Sequence, residues 1–254
     1  PIIVFRYRPT RSGEFVREYL KDWKGTLVCD GYAGYDSGGR DLPLRLAGCW
    51  AHARRKFVEI VKVAKGQGCA HEAVEYIRQL YLVEDEWRQG NLNFEQLREL
   101  RQSKSKPVME EFRKWLDQKA MESPPTSPLG SAVRYALGEW GKLQTYLDDG
   151  RVPIDNNMTE NAIRPFVLGK KNWLFSACPA GAEASAFLYG LIETAKTNGL
   201  EPYWYLNFLF EKFPLSKGED DYRALLPYNL TPEIVATHLQ IKLDFTTYKI
   251  PERG

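Results

Sequence analysis

With 254 residues, 43% of them hydrophobic, the chain can bury a substantial core and is long enough for one elaborated domain or two. The 35 Lys and Arg against 33 Asp and Glu leave a formal charge of +2, too little to argue for a nucleic-acid partner by itself; any such affinity has to come from local clusters such as Arg54 to Lys56 and Arg164 to Lys171. No segment is long enough to span a membrane, the start lacks a signal-like apolar stretch, and Cys29, Cys49, Cys69 and Cys178 form no CxxC pair, which together point to the reducing cytoplasm.

In chain order, Ile2 to Tyr7 reads as a strand without an acid, and Gly13 to Trp23 as an amphipathic helix bearing Glu14, Glu18 and Asp22. Gly25-Thr26-Leu27-Val28-Cys29 is a short run of strand formers that ends in Asp30 and the glycine-rich turn Gly31-Tyr32-Ala33-Gly34-Tyr35. Alternation puts Leu27 and Cys29 on one face and Val28 and Asp30 on the other, so Asp30 leaves the sheet where loops collect. Such aspartates bind metals in some proteins and simply make turns in others.

Ala47 to Phe57, AGCWAHARRKF, reads as a short strand or turn entering a basic helix. Arg54, Arg55 and Lys56 spread round most of that helix, and at least one should face a bound polyanion, although a solvated charge run is the commoner outcome. His52 reads as a packed or capping residue, and the irregular spacing of Cys49, His52, Cys69 and His71 is a poor match to a zinc site. From Val58 to Asp149 the pattern is helical. Val74, Ile77, Leu80 and Tyr81 form one core stripe, Val133, Leu137, Trp140, Leu143 and Leu147 another, and Ser123 to Gly130 forms a surface loop between them.

Ile154-Asp155-Asn156-Asn157-Met158-Thr159-Glu160-Asn161-Ala162-Ile163-Arg164-Pro165 sets one carboxylate among amides, with an arginine at helical spacing. Asp155, Asn156 or Asn157 can cap a helix through Glu160, and Arg164, four residues on, shares the face of Glu160. Taken alone, this is as readily a capped surface helix with an ordinary ion pair. Pro165 kinks or ends the helix, and Gly169-Lys170-Lys171-Asn172-Trp173 follows as a basic, aromatic loop. Ala184 to Thr197 forms the next helix, which Gly199 stops. Glu201-Pro202 starts another, with Tyr205, Leu206, Leu209 and Phe210 inward, and a tail begins near Lys242.

The DGYAGY, CWAHARRKF and DNNMTENAIRP segments, in this order, resemble the insertion-sequence sixty-six family of bacterial transposases. Lys171-Asn172-Trp173-Leu174-Phe175, Leu191 to Leu200 and Leu225-Leu226-Pro227-Tyr228-Asn229 extend the resemblance over nearly the whole chain. It implies an α/β, ribonuclease-H-like core, a mixed sheet with flanking helices. Residues 1–57 and 151–213 would be its two parts, 58–150 a helical insertion, and 214–254 a C-terminal element and tail. It further implies a DNA transposase catalytic domain of the DDE type, in which three acids hold two Mg²⁺ or Mn²⁺ ions for strand cleavage and strand transfer. Asp30 looks like the second acid and Glu160 like the third, both catalytic and metal-binding. The first acid belongs on a strand that the chain is expected to lack, which puts catalysis by this chain alone in question. Arg54, Arg55, Lys56, Asn156, Asn157, Asn161, Arg164, Lys170, Lys171 and Trp173 are the expected DNA contacts. The implied partners are DNA, as transposon ends and target, with further copies of the chain and helper proteins of the same element, and no membrane. Two other readings stay open. One is a non-catalytic DNA-binding or assembly remnant; the other is a metal-free acid/base pair, which Arg164 beside Glu160 disfavours.

Overall fold

The computed structural model describes residues 1–10, 12–39, 42–64, 66–173 and 176–240. The expected tail from Lys242, and Leu174 and Phe175 of the motif after Lys171, lie outside these residues. The chain divides into two compact units, one of residues 10–158 and one of residues 1–9 with 159–254.

In the first unit, α1 (Gly13–Leu20) starts where the Ser12 hydroxyl accepts the Glu14 amide at 3.1 Å. Strand β1 (Gly25–Cys29), helix α2 (Ala33–Gly39) and strand β2 (Leu44–Gly48) follow. The strands pair in parallel, with Gly25 opposite Leu44 and Cys29 opposite Gly48. A parallel neighbour cannot be reached by a hairpin, and α2 is the crossover that makes the pairing possible. Beyond β2 everything is helical: α3 (Trp50–Val63), α4 (Cys69–Gln89), α5 (Phe94–Leu100), a π turn at Arg101–Ser105, α6 (Lys106–Glu122), α7 (Pro128–Gly138), α8 (Trp140–Gln144) and a 3₁₀ turn at Thr145–Asp148.

The apolar stripes read from the sequence make the core of this unit. Ile77 and Leu80 meet Trp50, Phe57, Phe112, Leu116, Val133, Trp140 and Leu143, with Val74, Tyr81 and Leu137 packed at its margin. Residues Val152 and Ile154 belong to the same core, which anchors the chain just before Asp155. The expected loop at Ser123 to Gly130 is shorter than the sequence suggested, because Ser127 accepts the Gly130 amide at 3.0 Å and α7 begins at Pro128.

In the second unit, α9 (Asn157–Trp173) enters from the first. It is followed by α10 (Pro179–Thr197), α11 (Pro202–Lys212), α12 (Glu219–Ala224) and α13 (Pro232–Leu239), with 3₁₀ turns at Phe213–Leu215 and Pro227–Asn229. As expected, α10 stops at Gly199, whose φ of +78° is the left-handed conformation that glycine adopts without a Cβ clash. Glu201 caps α11 by accepting the Trp204 amide at 3.0 Å. Tyr205 is buried and Leu206 and Leu209 pack against its cluster, but Phe210 is exposed and Phe208 is buried in its stead.

The expectation of an α/β, ribonuclease-H-like core is wrong for this structure. Among the described residues the sheet has two parallel strands and no mixed pairing, and the rest is mainly helical. Two features account for this. Ile2 to Tyr7, the expected strand, has no ladder partner among the described residues. The Thr194 hydroxyl of α10 instead receives the Ile3 amide at 3.0 Å and donates to the Ile3 carbonyl at 3.1 Å, so a helix side chain satisfies the extended backbone. Elsewhere the apolar residues recur at helical spacing, and few alternating segments remain from which to build a wider sheet.

Candidate functional site

Asp30 occupies the first position after β1 and is half-buried, at the strand exit predicted from alternation. Its Oδ1 accepts the Tyr32 amide at 3.3 Å, an Asx turn that folds the chain back into α2. Gly31 is required here because a Cβ on it would lie 2.7 Å from the Tyr135 hydroxyl of α7. Burial raises the Tyr135 phenol to a pKa of about 12, with Glu139 and Asp30 adding to the effect. Lys56 of α3 lies 5.5 Å from the centre of the Tyr135 ring, so the basic helix delivers a cation beside the turn that carries Asp30.

The same helix turns Arg54 and Arg55 elsewhere. Arg54 and Arg55 line a cleft of about 400 Å³ together with Ala51, Val58, Arg78, Tyr81 and Asn157. Ala51, Val58 and the Tyr81 ring make apolar walls, and the three guanidiniums give the cleft its charge. Arg78 is forked onto Glu75, with both bonds at 2.7 Å. Phosphate groups fit such a site because a guanidinium offers several donors in a plane and loses none of its charge at neutral pH.

The approach to Glu160 is pinned at three points. The Trp50 amide donates to the Ile154 carbonyl at 3.1 Å, the Asn156 amide to Cys49 Sγ at 3.5 Å, and the Tyr81 hydroxyl to Asp155 Oδ2 at 2.8 Å. Asp155 then caps α9, accepting the Asn157 amide on Oδ1 at 3.0 Å and the Asn157 side-chain amide on Oδ2 at 2.9 Å. Burial and the Asp155 carboxylate push the Tyr81 phenol far above its ordinary pKa, so it is a permanent donor. Burial also raises the Cys49 thiol.

Glu160 follows in the first turn of α9 and is half-buried. Helix α9 runs on through Pro165 to Trp173, so Pro165 does not end it and Gly169 to Trp173, expected as a loop or turn, is helical: Lys170 and Lys171 are exposed in its last turn. Asn157 and Arg164 are also exposed, while Asn156 and Asn161 are half-buried. The cleft thus gathers Arg54, Arg55 and Asn157 from the expected contacts and adds Arg78 and Tyr81, which the sequence reading missed. Tyr81 had been read as part of a core stripe. Its hydroxyl was the available signal, since a tyrosine buried at the edge of a stripe needs a partner for its polar end.

A model of the family described as "Transposase IS66 family" matches residues 1–184, and one described as "IS66 C-terminal element" matches residues 190–228. The chain belongs to the IS66 transposase family. Two uncharacterized proteins of Sinorhizobium fredii are similar to it. One, y4jD, is 34% identical over 236 residues, which cover 90% of this chain and 46% of the relative; the other, y4qI, is 30% identical over 242 residues, covering 92% and 44%. The chain therefore spans about half the length of the curated relatives it matches. No solved structure matches it significantly.

Membership in the IS66 family raises the matter of divalent metal. Asp30 has suitable chemistry, a half-buried carboxylate with one oxygen held by a backbone amide, and Glu160 is a second half-buried carboxylate. A cage needs more. Asp36 and Glu139, the acids nearest in character, are both paired with Lys142, at 2.7 and 3.0 Å. Among the described residues no group of three His, Cys, Asp or Glu side chains could hold a metal ion. The described residues thus do not complete a metal site. No helix among them is long and apolar enough to cross a membrane.

Proposed function

We propose that this IS66 chain is part of a DNA transposase in which the α3–α4 cleft holds the DNA backbone and Asp30 and Glu160 contribute to strand cleavage and strand transfer. The observation that carries the DNA part is the convergence of Arg54, Arg55 and Arg78 on one cleft bordered by Asn157, the first residue of the Glu160 helix. The contacts are to phosphate rather than to base edges, since the cleft offers charge and an apolar wall. Lys56, Asn156, Asn161, Arg164, Lys170, Lys171 and Trp173 are further candidates for DNA contact. Mg²⁺ or Mn²⁺, when bound, would neutralise phosphate charge and activate water, and Asp30 and Glu160 are the side chains we assign as ligands. The partners of the whole protein would be transposon ends, target DNA, further copies of the chain and helper proteins.

Two measurements test this reading. Replacing Arg54 or Arg55 with Ala should weaken duplex binding uniformly across sequences and reduce the slope of log affinity against log salt by about 1 each; an unchanged slope would remove the cleft from the interface. Calorimetric titration with Mn²⁺ should show binding that is lost in both Asp30→Ala and Glu160→Ala. Binding that persists in both variants would overturn the assignment of ligands.

One observation favours a second reading, a DNA-binding or assembly protein without catalysis: the described residues gather cations at the cleft but no set of acids. Duplex binding with the predicted salt slope, together with an absence of Mn²⁺ binding in the unmodified chain, would support it.

A further inference from the structure

The segment before Glu160 is more tightly held than helix capping requires. Ser, Thr, Asn or Asp at a helix start satisfies an orphan amide without any partner from another helix. Here Asp155 spends Oδ1 on the Asn157 amide and Oδ2 on the Asn157 side chain, and Oδ2 also accepts the Tyr81 hydroxyl from α4 at 2.8 Å. The flanking residues are tied to the start of α3 through the Ile154 carbonyl and the Asn156 amide. Tyr81 and Asn157 both line the arginine cleft. One hydroxyl therefore connects the cleft wall, the capping carboxylate and the first turn of the helix that carries Glu160.

We propose that Tyr81 is a positioning residue: through Asp155 it fixes the first turn of α9, the turn that carries Glu160. This rests on the assignment of Glu160 as a strand-cleavage residue. In this role the Tyr81 hydroxyl touches no reacting atoms, while its ring stays part of the cleft wall. Its contribution is orientation, and displacement of a catalytic group by about 1 Å can cost on the order of 100-fold in rate. Because burial and the neighbouring carboxylate keep the phenol protonated throughout the neutral range, the hydrogen bond is a constant constraint and not a pH switch.

The test is a double-mutant cycle. Tyr81→Phe keeps the ring and the apolar wall and removes only the hydroxyl; Asp155→Ala removes its acceptor. In the chain as it stands, amide hydrogen exchange at residues 157–161 should speed up on Tyr81→Phe, by about 5- to 30-fold for a bond of ordinary strength. It should speed up at least as much on Asp155→Ala, and no further in the double variant. In the transposase that contains this chain, Tyr81→Phe should lower the single-turnover cleavage rate at saturating DNA about 10- to 100-fold, well beyond any change in the dissociation constant for duplex DNA. A structural role alone would lower the melting temperature without separating rate from affinity. Unchanged exchange at residues 157–161, or additive effects of the two substitutions, would overturn the proposal. Glu160→Gln keeps its failure apart from failure of the functional reading. Loss of cleavage in Glu160→Gln with full cleavage in Tyr81→Phe rejects the positioning role alone, whereas cleavage retained in Glu160→Gln rejects the assignment of Glu160 itself.

Discussion

The two units are both chiefly helical, but they bury different kinds of core. In residues 10–158, Trp50, Phe57, Tyr76, Phe112, Trp115 and Trp140 form a continuous set of ring contacts, with Tyr76 and Phe112 stacked at 5.1 Å and Trp50 edge-on to Trp140 at 6.1 Å. Beside it Arg101, only 1% exposed, is forked onto Glu84 with both bonds at 2.8 Å and donates to the carbonyls of Tyr146, Asp149 and Val152. The second unit rests on a smaller cluster of Ala195, Leu200, Tyr205, Phe208, Leu225, Leu230 and Val235. It also leaves Val167, Leu168, Phe187, Phe210 and Leu215 more than half exposed. The difference teaches that the region with the arginine cleft is a scaffold built round one large aromatic and ionic interior, whereas the described residues of the other region share a smaller apolar cluster.

That contrast is easiest to break in the first unit. Arg101→Ala should cost about 3–5 kcal/mol in urea denaturation, because it strands a buried carboxylate and three carbonyls. Phe112→Ala should cost a similar ~3–5 kcal/mol by emptying the centre of the aromatic set. Losses below about 1 kcal/mol in both would deny that this interior holds the scaffold together.

The next effect is one of pH. Burial raises the Cys29 thiol from 9.0 to about 12, Lys142 partly opposing. The folded state thus holds this proton more tightly than the unfolded chain, so the associated stability is fully present below about pH 9 and is lost as the pH rises toward 12. Denaturation at pH 8 and pH 10.5 should show a fall that is shallower in Cys29→Ala, and an equal fall would remove Cys29 as its source. Under native conditions at pH 8 the exposed Cys178 should react with a thiol reagent well before the buried Cys29 and Cys49.

Smaller effects sharpen the comparison from the other side. Tyr205 donates to the Leu225 carbonyl at 3.3 Å in the second core. Tyr205→Phe should cost about 1 kcal/mol, measured by thermal melting. At the surface, hydrogen bonds from Arg151 hold the Asp149 carboxylate down to a pKa of about 2. Its contribution is present above the ordinary value of 3.8 and disappears as the pH falls toward 2. Solvent screening limits it, and Asp149→Asn should change stability at pH 7 by less than about 1 kcal/mol.

Much of the candidate site was legible without coordinates. The run from Gly25 to Cys29 ending in Asp30, the basic helix from Trp50, the capped helix through Glu160 and the stop at Gly199 all rest on local signals, and the described elements carry them. The misreadings share a cause. Pro165 reads as a kink or an end because a proline removes one intrahelical bond, yet that loss is local and α9 continues past it to Trp173. Ile2 to Tyr7 was taken as a strand because its composition suits one, but a strand exists only if another edge accepts it, and the Thr194 hydroxyl satisfies Ile3 instead. Arg78 draws no reading from the sequence and Tyr81 reads as core, since neither residue announces in one dimension that it lines a cleft with Arg54 and Arg55.

By itself the sequence determined which segments are helical, which carboxylates sit at element ends, and which family the chain belongs to, because these depend on neighbours a few residues apart or on ordered motifs. Only the tertiary structure decided that the sheet stops at two strands, that Arg54, Arg55 and Arg78 share a cleft, and that Tyr81 reaches Asp155 across 74 residues of chain. Those outcomes depend on which surfaces meet when the core closes, and no local spacing encodes the meeting of helices that are far apart in the chain.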